Sequence, residues 1–202
     1  MKYKFIVVEG FDGSGKSSIA KWLSEEWGYE FHKTPMGLFS SVRSHFDSEK
    51  IDLVERYCFY AADCMRASIY IKKQIESGKS IVLDRYHYST IAYHESKMPG
   101  ISNLLPDLFK PLFKPELVLY VKVNFQIANQ RMAQRQNLPD DSLFLTQEYY
   151  DKIDQKFLSV FDVPYQVVDN SGRLEDTKAK VLNILQDKPK KEIPRINAPF
   201  VH

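Results

Sequence analysis

Eight consecutive residues, Gly10-Phe11-Asp12-Gly13-Ser14-Gly15-Lys16-Ser17, match the pattern Gly-x-x-x-x-Gly-Lys-Ser, and residue types at this spacing can hold a chain of phosphates. The glycines let the backbone turn tightly and aim several N–H groups at phosphate oxygens, while a helix that follows adds the positive end of its dipole. Lys16 would reach the terminal phosphates and Ser17 a magnesium ion. The pattern arises by chance in roughly one chain in a hundred of this length. The alternative is a glycine-rich turn with a surface lysine. A second group lies far along the chain, where Ile81-Val82-Leu83 runs into Asp84-Arg85. A carboxylate there can hold magnesium or its waters, and an arginine can clamp a second phosphate in a planar fork. A structural ion pair at a strand end is the other reading of that dipeptide.

These residues need elements to position them. The β-branched run Tyr3–Val8 feeds into the glycine loop, and Ser18 opens a helical pattern with apolar residues at 19, 20, 23 and 27. Four further strands are predicted at Glu30–Lys33, Ser80–Asp84, Glu116–Val123 and Tyr165–Val168. Helical spacing predicts Ile51–Ser77, ended by Gly78 and broken once, then Phe125–Arg135, Leu145–Val160 and Leu174–Gln186. The alternation is that of an α/β protein with a parallel sheet covered by helices on both faces. Ligands bind at the carboxyl ends of such strands, which places Asp84 and Arg85 beside the glycine loop. Pro106, Pro111 and Pro115 predict a loop-rich approach to the fourth strand with short helical turns.

Composition bounds the rest. With 202 residues, 44% of them hydrophobic, the chain can bury one sizeable core. We expect a single domain over residues 1–186 with a lid around 131–145, and a Pro/Lys-rich tail over 187–202 that is extended or loosely docked. The balance of 28 basic and 26 acidic residues gives no field that argues for nucleic acid or an acidic membrane surface, so anion binding must be local. The two cysteines, Cys58 and Cys64, lack metal-site spacing and fit a reducing cytosol. No run approaches 18 apolar residues and the start lacks a signal-peptide pattern, so a soluble, intracellular, cytoplasmic protein is expected. His32, His87 and His94 are scattered singly and read as polar or packing residues.

Three motifs in order carry a resemblance: Glu9–Ser17, Phe59-Tyr60-Ala61-Ala62-Asp63, and Asp84-Arg85-Tyr86-His87-Tyr88-Ser89-Thr90-Ile91-Ala92-Tyr93. Followed by Leu119–Val123, by Arg131 and Arg135, and by Glu148-Tyr149-Tyr150-Asp151, they resemble the thymidylate kinase family of P-loop nucleoside monophosphate kinases over about residues 3 to 185. The resemblance implies a P-loop NTPase-type three-layer sandwich with a five-stranded parallel sheet. It also implies transfer of the γ-phosphoryl of ATP, with Mg2+, to a deoxynucleoside monophosphate, with dTMP giving dTDP as the leading choice. Gly10, Gly13, Ser14, Gly15, Lys16, Ser17 and Ser18 would bind the donor, with Ser17 and Asp84 serving the metal. Asp12 would sit near the acceptor's 3′-hydroxyl, Arg85 would grip its phosphate, and Lys33 would add charge. Phe59 or Tyr60 would stack on the base, and Tyr93 would pack on the sugar. Arg131 and Arg135, four apart on one helical face, would close over the transferred phosphoryl group, a solvated helix face being their alternative. A homodimer formed through the helix that begins near Ile51 is implied too, with no stable nucleic-acid or membrane partner.

The chain departs from that family's pattern in three places. An arginine normally stands four residues after the helix phenylalanine, where this chain has Asp63, or Cys64 if counted from Tyr60; Arg66, one turn on, is a candidate substitute. Lys33-Thr34-Pro35 replaces an Arg-Glu-Pro-like segment, and Gln136–Asp141 lacks the usual Asp-Arg pair. Phosphoryl transfer is therefore better supported than recognition of thymine. The same machinery acting on dUMP, a modified pyrimidine nucleotide, a nucleoside or a base in DNA is the alternative, and a non-catalytic nucleotide-binding protein is another.

Overall fold

The computed structural model describes residues 2–48, 50–134 and 146–186. Five strands, β1 Phe5–Glu9, β2 Glu30–Lys33, β3 Ile81–Asp84, β4 Leu117–Lys122 and β5 Tyr165–Asp169, form one parallel sheet in the order β2-β3-β1-β4-β5. The central strand β1 is buried throughout and pairs with β3 on one side and β4 on the other. Near-continuous apolar runs such as Phe5-Ile6-Val7-Val8 are what a strand covered on both faces requires.

Successive side chains of β1 leave by opposite faces. Phe5 and Val7 join Ile81, Leu83 and Val118 in a core closed by α3 (Leu53–Glu76), which contributes Tyr57, Ala61, Cys64, Ala67 and Ile71. Ile6 and Val8 join Val82, Leu119 and Val121 on the other face, under Ile19, Ala20 and Leu23 of α1 (Lys16–Trp27) and Val181 and Leu185 of α7 (Leu174–Gln186). A third cluster surrounds Phe11 and draws on α4 (His87–Lys97), α5 (Phe125–Ala133) and α6 (Gln147–Val160). The expected three layers and five strands are therefore present.

Several local expectations need correction. The helix placed at Ile51–Ser77 starts at Leu53 because the Asp52 carboxylate caps it by accepting the Val54 N–H at 2.8 Å, and it runs unbroken to Glu76. Its 24 residues contain neither proline nor glycine, so nothing interrupts its hydrogen-bond ladder. Two helices have no counterpart in the sequence reading. One is α2, Leu38–Phe46, which buries none of its residues although its Phe39 and Phe46 rings lie against Phe59 of α3. The other is α4, which buries Ser89, Thr90, His94, Glu95 and Ser96 alongside its apolar residues and so shows no amphipathic period. The loop-rich approach to β4 holds the 3-10 segment Ile101–Leu104 and, as expected, further short turns over 106–111. The predicted helix end at Arg135, most of the lid at 131–145 and the tail at 187–202 lie outside the described residues.

Candidate active site

The glycine loop lies between β1 and α1 at the carboxyl edge of the sheet. Gly13 and Gly15 have φ of 82° and 88°, in the left-handed region. A Cβ at Gly13 would lie 2.6 Å from the Ala128 carbonyl, and one at Gly15 would lie 2.3 Å from Asn170 Nδ2. Glycine is thus required both by conformation and by space. The first turn of α1 carries no acidic side chain, which leaves the positive end of its dipole uncompensated for an anion.

Within the loop, Lys16 is buried and its Nζ donates to the Phe11 carbonyl and to Asp12 Oδ1, both at 3.3 Å. Burial, followed by the neighbouring Arg85 cation, lowers its pKa to about 8. Asp12 also accepts from Arg85 Nη2 at 2.7 Å. Burial pushes the Asp12 carboxyl up, but Arg85 and then Lys16 outweigh it and hold it well below the ordinary range. One carboxylate therefore bridges two cations contributed by different strand ends.

Ser17 Oγ donates to Asp84 Oδ2 at 2.5 Å, and Lys33 Nζ stands 3.7 Å from the same oxygen. The register explains the cluster, since Val8 and Lys33 are the sheet partners of Asp84 on either side. Asp84 is fully buried and its Oδ1 has no protein partner. A hydroxyl beside a buried carboxylate with one open oxygen suits a hard cation that keeps most of its ligands from phosphates and water. Among the described residues no group of three His, Cys, Asp or Glu side chains that could hold a metal ion is present.

Arg85 has φ 71°, a conformation that costs a non-glycine residue about 1 to 2 kcal/mol. Its N–H donates to the Val8 carbonyl at 3.0 Å, and its carbonyl accepts from Thr34 Oγ1 at 3.1 Å. The guanidinium lies over the Tyr93 ring at 5.2 Å and donates through Nη1 to Ser89 Oγ at 3.0 Å. Burial disfavours its charge, but Asp12, Tyr93 and Glu9 more than compensate, so its pKa is raised. Arg131, on α5, reaches the loop from the other side, with Nη2 3.1 Å from the Asn170 carbonyl and Nη1 3.5 Å from the Gly13 carbonyl. The structure thus brings Asp12, Lys16, Ser17, Lys33, Asp84, Arg85, Tyr93 and Arg131 to one edge of the sheet. Arg135 lies outside the described residues.

The aromatic candidates sit differently. The Phe59 ring is buried and stacked on Phe46 of α2, with centroids 4.1 Å apart and planes 10° from parallel. Tyr60 turns aside to donate its hydroxyl to Asp47 Oδ1 at 2.5 Å. One turn along α3, Asp63 is buried and accepts the Met36 N–H on Oδ1 at 2.8 Å, while its Oδ2 has no partner. Cys64 instead faces α4, with its Sγ 3.7 Å from Thr90 Oγ1. Arg66 is exposed, its Nη2 3.2 Å from where a Cβ would stand on Gly37.

Three structural participants escaped the sequence reading. Asn170, at the end of β5, donates from Nδ2 to the Ser14 carbonyl at 2.7 Å and accepts from Thr177 Oγ1 at 2.8 Å, so it braces the glycine loop from beneath. Glu9 and Ser89 join the end of β1 to α4. Both stand within the family-like motifs Glu9–Ser17 and Asp84–Tyr93, but neither motif by itself links them to each other.

Comparison with known proteins agrees with this geometry. The sequence model of the thymidylate kinase family matches residues 8–181. A thymidylate kinase from Brachyspira hyodysenteriae is 31% identical over 93% of this chain and 95% of that protein. A probable thymidylate kinase from Archaeoglobus fulgidus is 31% identical over 90% of this chain and 94% of its own. In fold, the chain is similar to the thymidylate kinase of Candida albicans, with a TM-score of 0.73 at 22% identity over 91% of both chains. It is also similar to a deoxyadenosine kinase from M. mycoides, with a TM-score of 0.66 at 19% identity over 90% of this chain and 99% of that one. A match of this extent, on a chain whose glycine loop and Asp84-Arg85 strand end meet at one sheet edge, places it in the thymidylate kinase family of ATP-dependent nucleoside monophosphate kinases.

Proposed function

We propose that this protein transfers the γ-phosphoryl of ATP to a deoxynucleoside monophosphate, with dTMP, converted to dTDP, as the leading acceptor. The observation that carries the reading is Asp12, whose one carboxylate oxygen receives both Lys16 and Arg85. It would tie a cation of the donor loop to the cation we assign to the acceptor phosphate. The donor phosphates would lie over the loop amides of Gly13, Ser14, Gly15, Lys16, Ser17 and Ser18, with Lys16 turning onto their terminal oxygens. Arg85 would hold the acceptor's phosphate, and Tyr93 would pack against its sugar near Asp12. Arg131 would approach the phosphoryl group in transit. An oxygen of the acceptor phosphate forms the new P–O bond as the bond to the β-phosphate oxygen breaks, and ADP leaves with that electron pair.

Such transfer needs positioning and neutralisation of spread negative charge rather than a protein nucleophile. Side chains of Lys, Arg and oxygen-bearing residues are therefore the sufficient set, and no covalent intermediate is invoked. Ser17 and Asp84 would hold magnesium, which when bound draws charge from the phosphate oxygens. The two free cysteines, one exposed and one buried, suit a cytoplasmic setting, and among the described residues no helix is long and apolar enough to cross a membrane. We further propose that residues 1–186 act as one domain and that the protein works as a homodimer, which sedimentation of the full chain tests.

A second reading rests on Asp63. A buried carboxylate with an open oxygen accepts N–H groups and repels carbonyls, so the acceptor base would be read by its N–H edge. That keeps uracil, modified pyrimidines and cytosine in competition with thymine. Measuring ADP release over a panel of nucleosides and nucleoside monophosphates tests both readings. Turnover highest with dTMP supports the first, whereas silence with dTMP beside turnover of another monophosphate leaves the transfer chemistry and replaces the acceptor.

A further inference from the structure

We infer that Glu9 and Ser89 form a buried positioning relay that aims Arg85 at the acceptor phosphate. The inference rests on the acceptor-phosphate role proposed for Arg85. Glu9 closes β1 with its side chain entirely buried beneath the N-terminus of α4. One carboxylate oxygen, Oε1, accepts the backbone N–H of Tyr86 at 2.8 Å and that of Ser89 at 3.3 Å. The other, Oε2, accepts the Ser89 hydroxyl. These bonds seat the first turn of α4 immediately after Arg85, the residue forced into the left-handed region.

The direction of the relay follows from counting protons. A serine hydroxyl has one hydrogen to donate and lone pairs to accept with. When Glu9 is ionised its carboxylate can only accept, so the Ser89 hydrogen then points at Glu9 and the Ser89 lone pairs face outward. Arg85 Nη1 donates to that oxygen at 3.0 Å, while Nη2 donates to Asp12 at 2.7 Å. The guanidinium is thus fixed at two corners, with the Tyr93 ring beneath it. Glutamine at position 9 could keep an oxygen for the two backbone N–H groups, but its amide would then face Ser89 and leave the serine hydrogen without an acceptor.

Packing alone gives no reason for the arrangement. A buried carboxylate without a full ion pair is costly, and apolar residues would fill the same space more favourably. Burial in fact raises the Glu9 pKa from 4.5 to about 7 despite the nearby Arg85 cation. A group held there against its solvation preference is accounted for if its charge orients the serine and, through it, the arginine.

The test compares steady-state kinetics of Ser89→Ala, Glu9→Gln and Arg85→Ala, using dTMP, or the monophosphate that the ADP-release panel selects, and ATP. Ser89→Ala removes one hydroxyl and is expected to keep the fold, which its melting temperature checks. We expect it to raise the acceptor KM about tenfold, as losing a hydrogen bond to a charged group would. The ATP KM should stay within about twofold, and Glu9→Gln should follow the same split. A role in folding alone would lower the active fraction, and hence kcat, without moving the acceptor KM. An unchanged acceptor KM in Ser89→Ala, or an equal rise for ATP, overturns the relay while leaving the Arg85 role standing, provided Arg85→Ala impairs acceptor use. If Arg85→Ala leaves acceptor use intact, the underlying reading falls instead.

Discussion

The two sides of the candidate site are built differently. The donor side is a short, rigid piece of backbone: Gly13 and Gly15 are forced by both conformation and space, and Asn170 braces the loop. The proposed acceptor side is assembled from distant side chains on β2, β3, α3 and α4 and from Arg85 just after β3, and it is flanked by α2, a helix that buries no residue. A site on backbone geometry admits few sequences, whereas one made of side chains can change partners without disturbing the fold. Two of the three departures from the family pattern, Asp63 and Lys33, fall on the acceptor side, and the third, Gln136–Asp141, lies outside the described residues.

Perturbing each side in turn should sharpen this contrast. The largest effect is expected from Lys16→Ala, which removes the buried donor-side cation and should reduce kcat by about a hundredfold to a thousandfold, as seen when one charge-stabilising donor is lost. Stopped-flow or coupled ADP assays measure it, and a loss under tenfold would place Lys16 outside the reacting centre. Gly15→Ala comes next. The methyl collides with Asn170 Nδ2 at 2.3 Å in a left-handed residue, so ATP affinity should drop by at least tenfold and the melting temperature should fall. An unchanged ATP dissociation constant would show that the loop relaxes freely, and the proposed rigidity would be wrong.

On the acceptor side the effects should be smaller and selective. Asp63→Asn keeps an oxygen for Met36 N–H but removes the charge, and should alter the ratio of kcat/KM among dTMP, dUMP and dCMP by roughly threefold to tenfold, about the difference between charged and neutral hydrogen bonds. The ATP KM should not move. A constant ratio would show that the base is read elsewhere.

The smallest effect concerns stability. Because the folded state raises the Glu9 pKa from 4.5 to about 7, the native protein holds that proton more tightly than the unfolded chain. Its contribution is therefore fully present below about pH 4.5 and is lost as pH rises through about 7. Glu9→Gln should show a smaller decline in denaturation midpoint between pH 5 and pH 8 than the wild type. Parallel curves for the two proteins would mean that Glu9 does not carry the buried charge assigned to it.

Sequence alone revealed much of this, and the reasons are physical. The strands were legible because β-branched runs such as Ile81-Val82-Leu83 must be buried on both faces, and the glycine loop because backbone geometry leaves its residue types little choice. Helix α2 was missed because it is only nine residues long and buries none of them, and α4 because many of its buried side chains are polar, with Ser89 held by the distant Glu9. Asn170 and Ser89 act through contacts 156 and 80 residues away in the chain, which no local pattern records. The position of Phe59 was legible as an aromatic on α3, but its stacking on Phe46 was not, because that contact depends on the unpredicted α2.

The central claim is that Lys16 serves the donor and Arg85 the acceptor, with Asp12 between them. Its most direct test is calorimetric ATP binding by Arg85→Ala beside a single-turnover transfer assay on the same preparation. Transfer should fall by at least a hundredfold, in line with loss of one charge-stabilising group, while ATP affinity stays within about threefold of wild type. Transfer and ATP binding falling together, or neither changing, would contradict it.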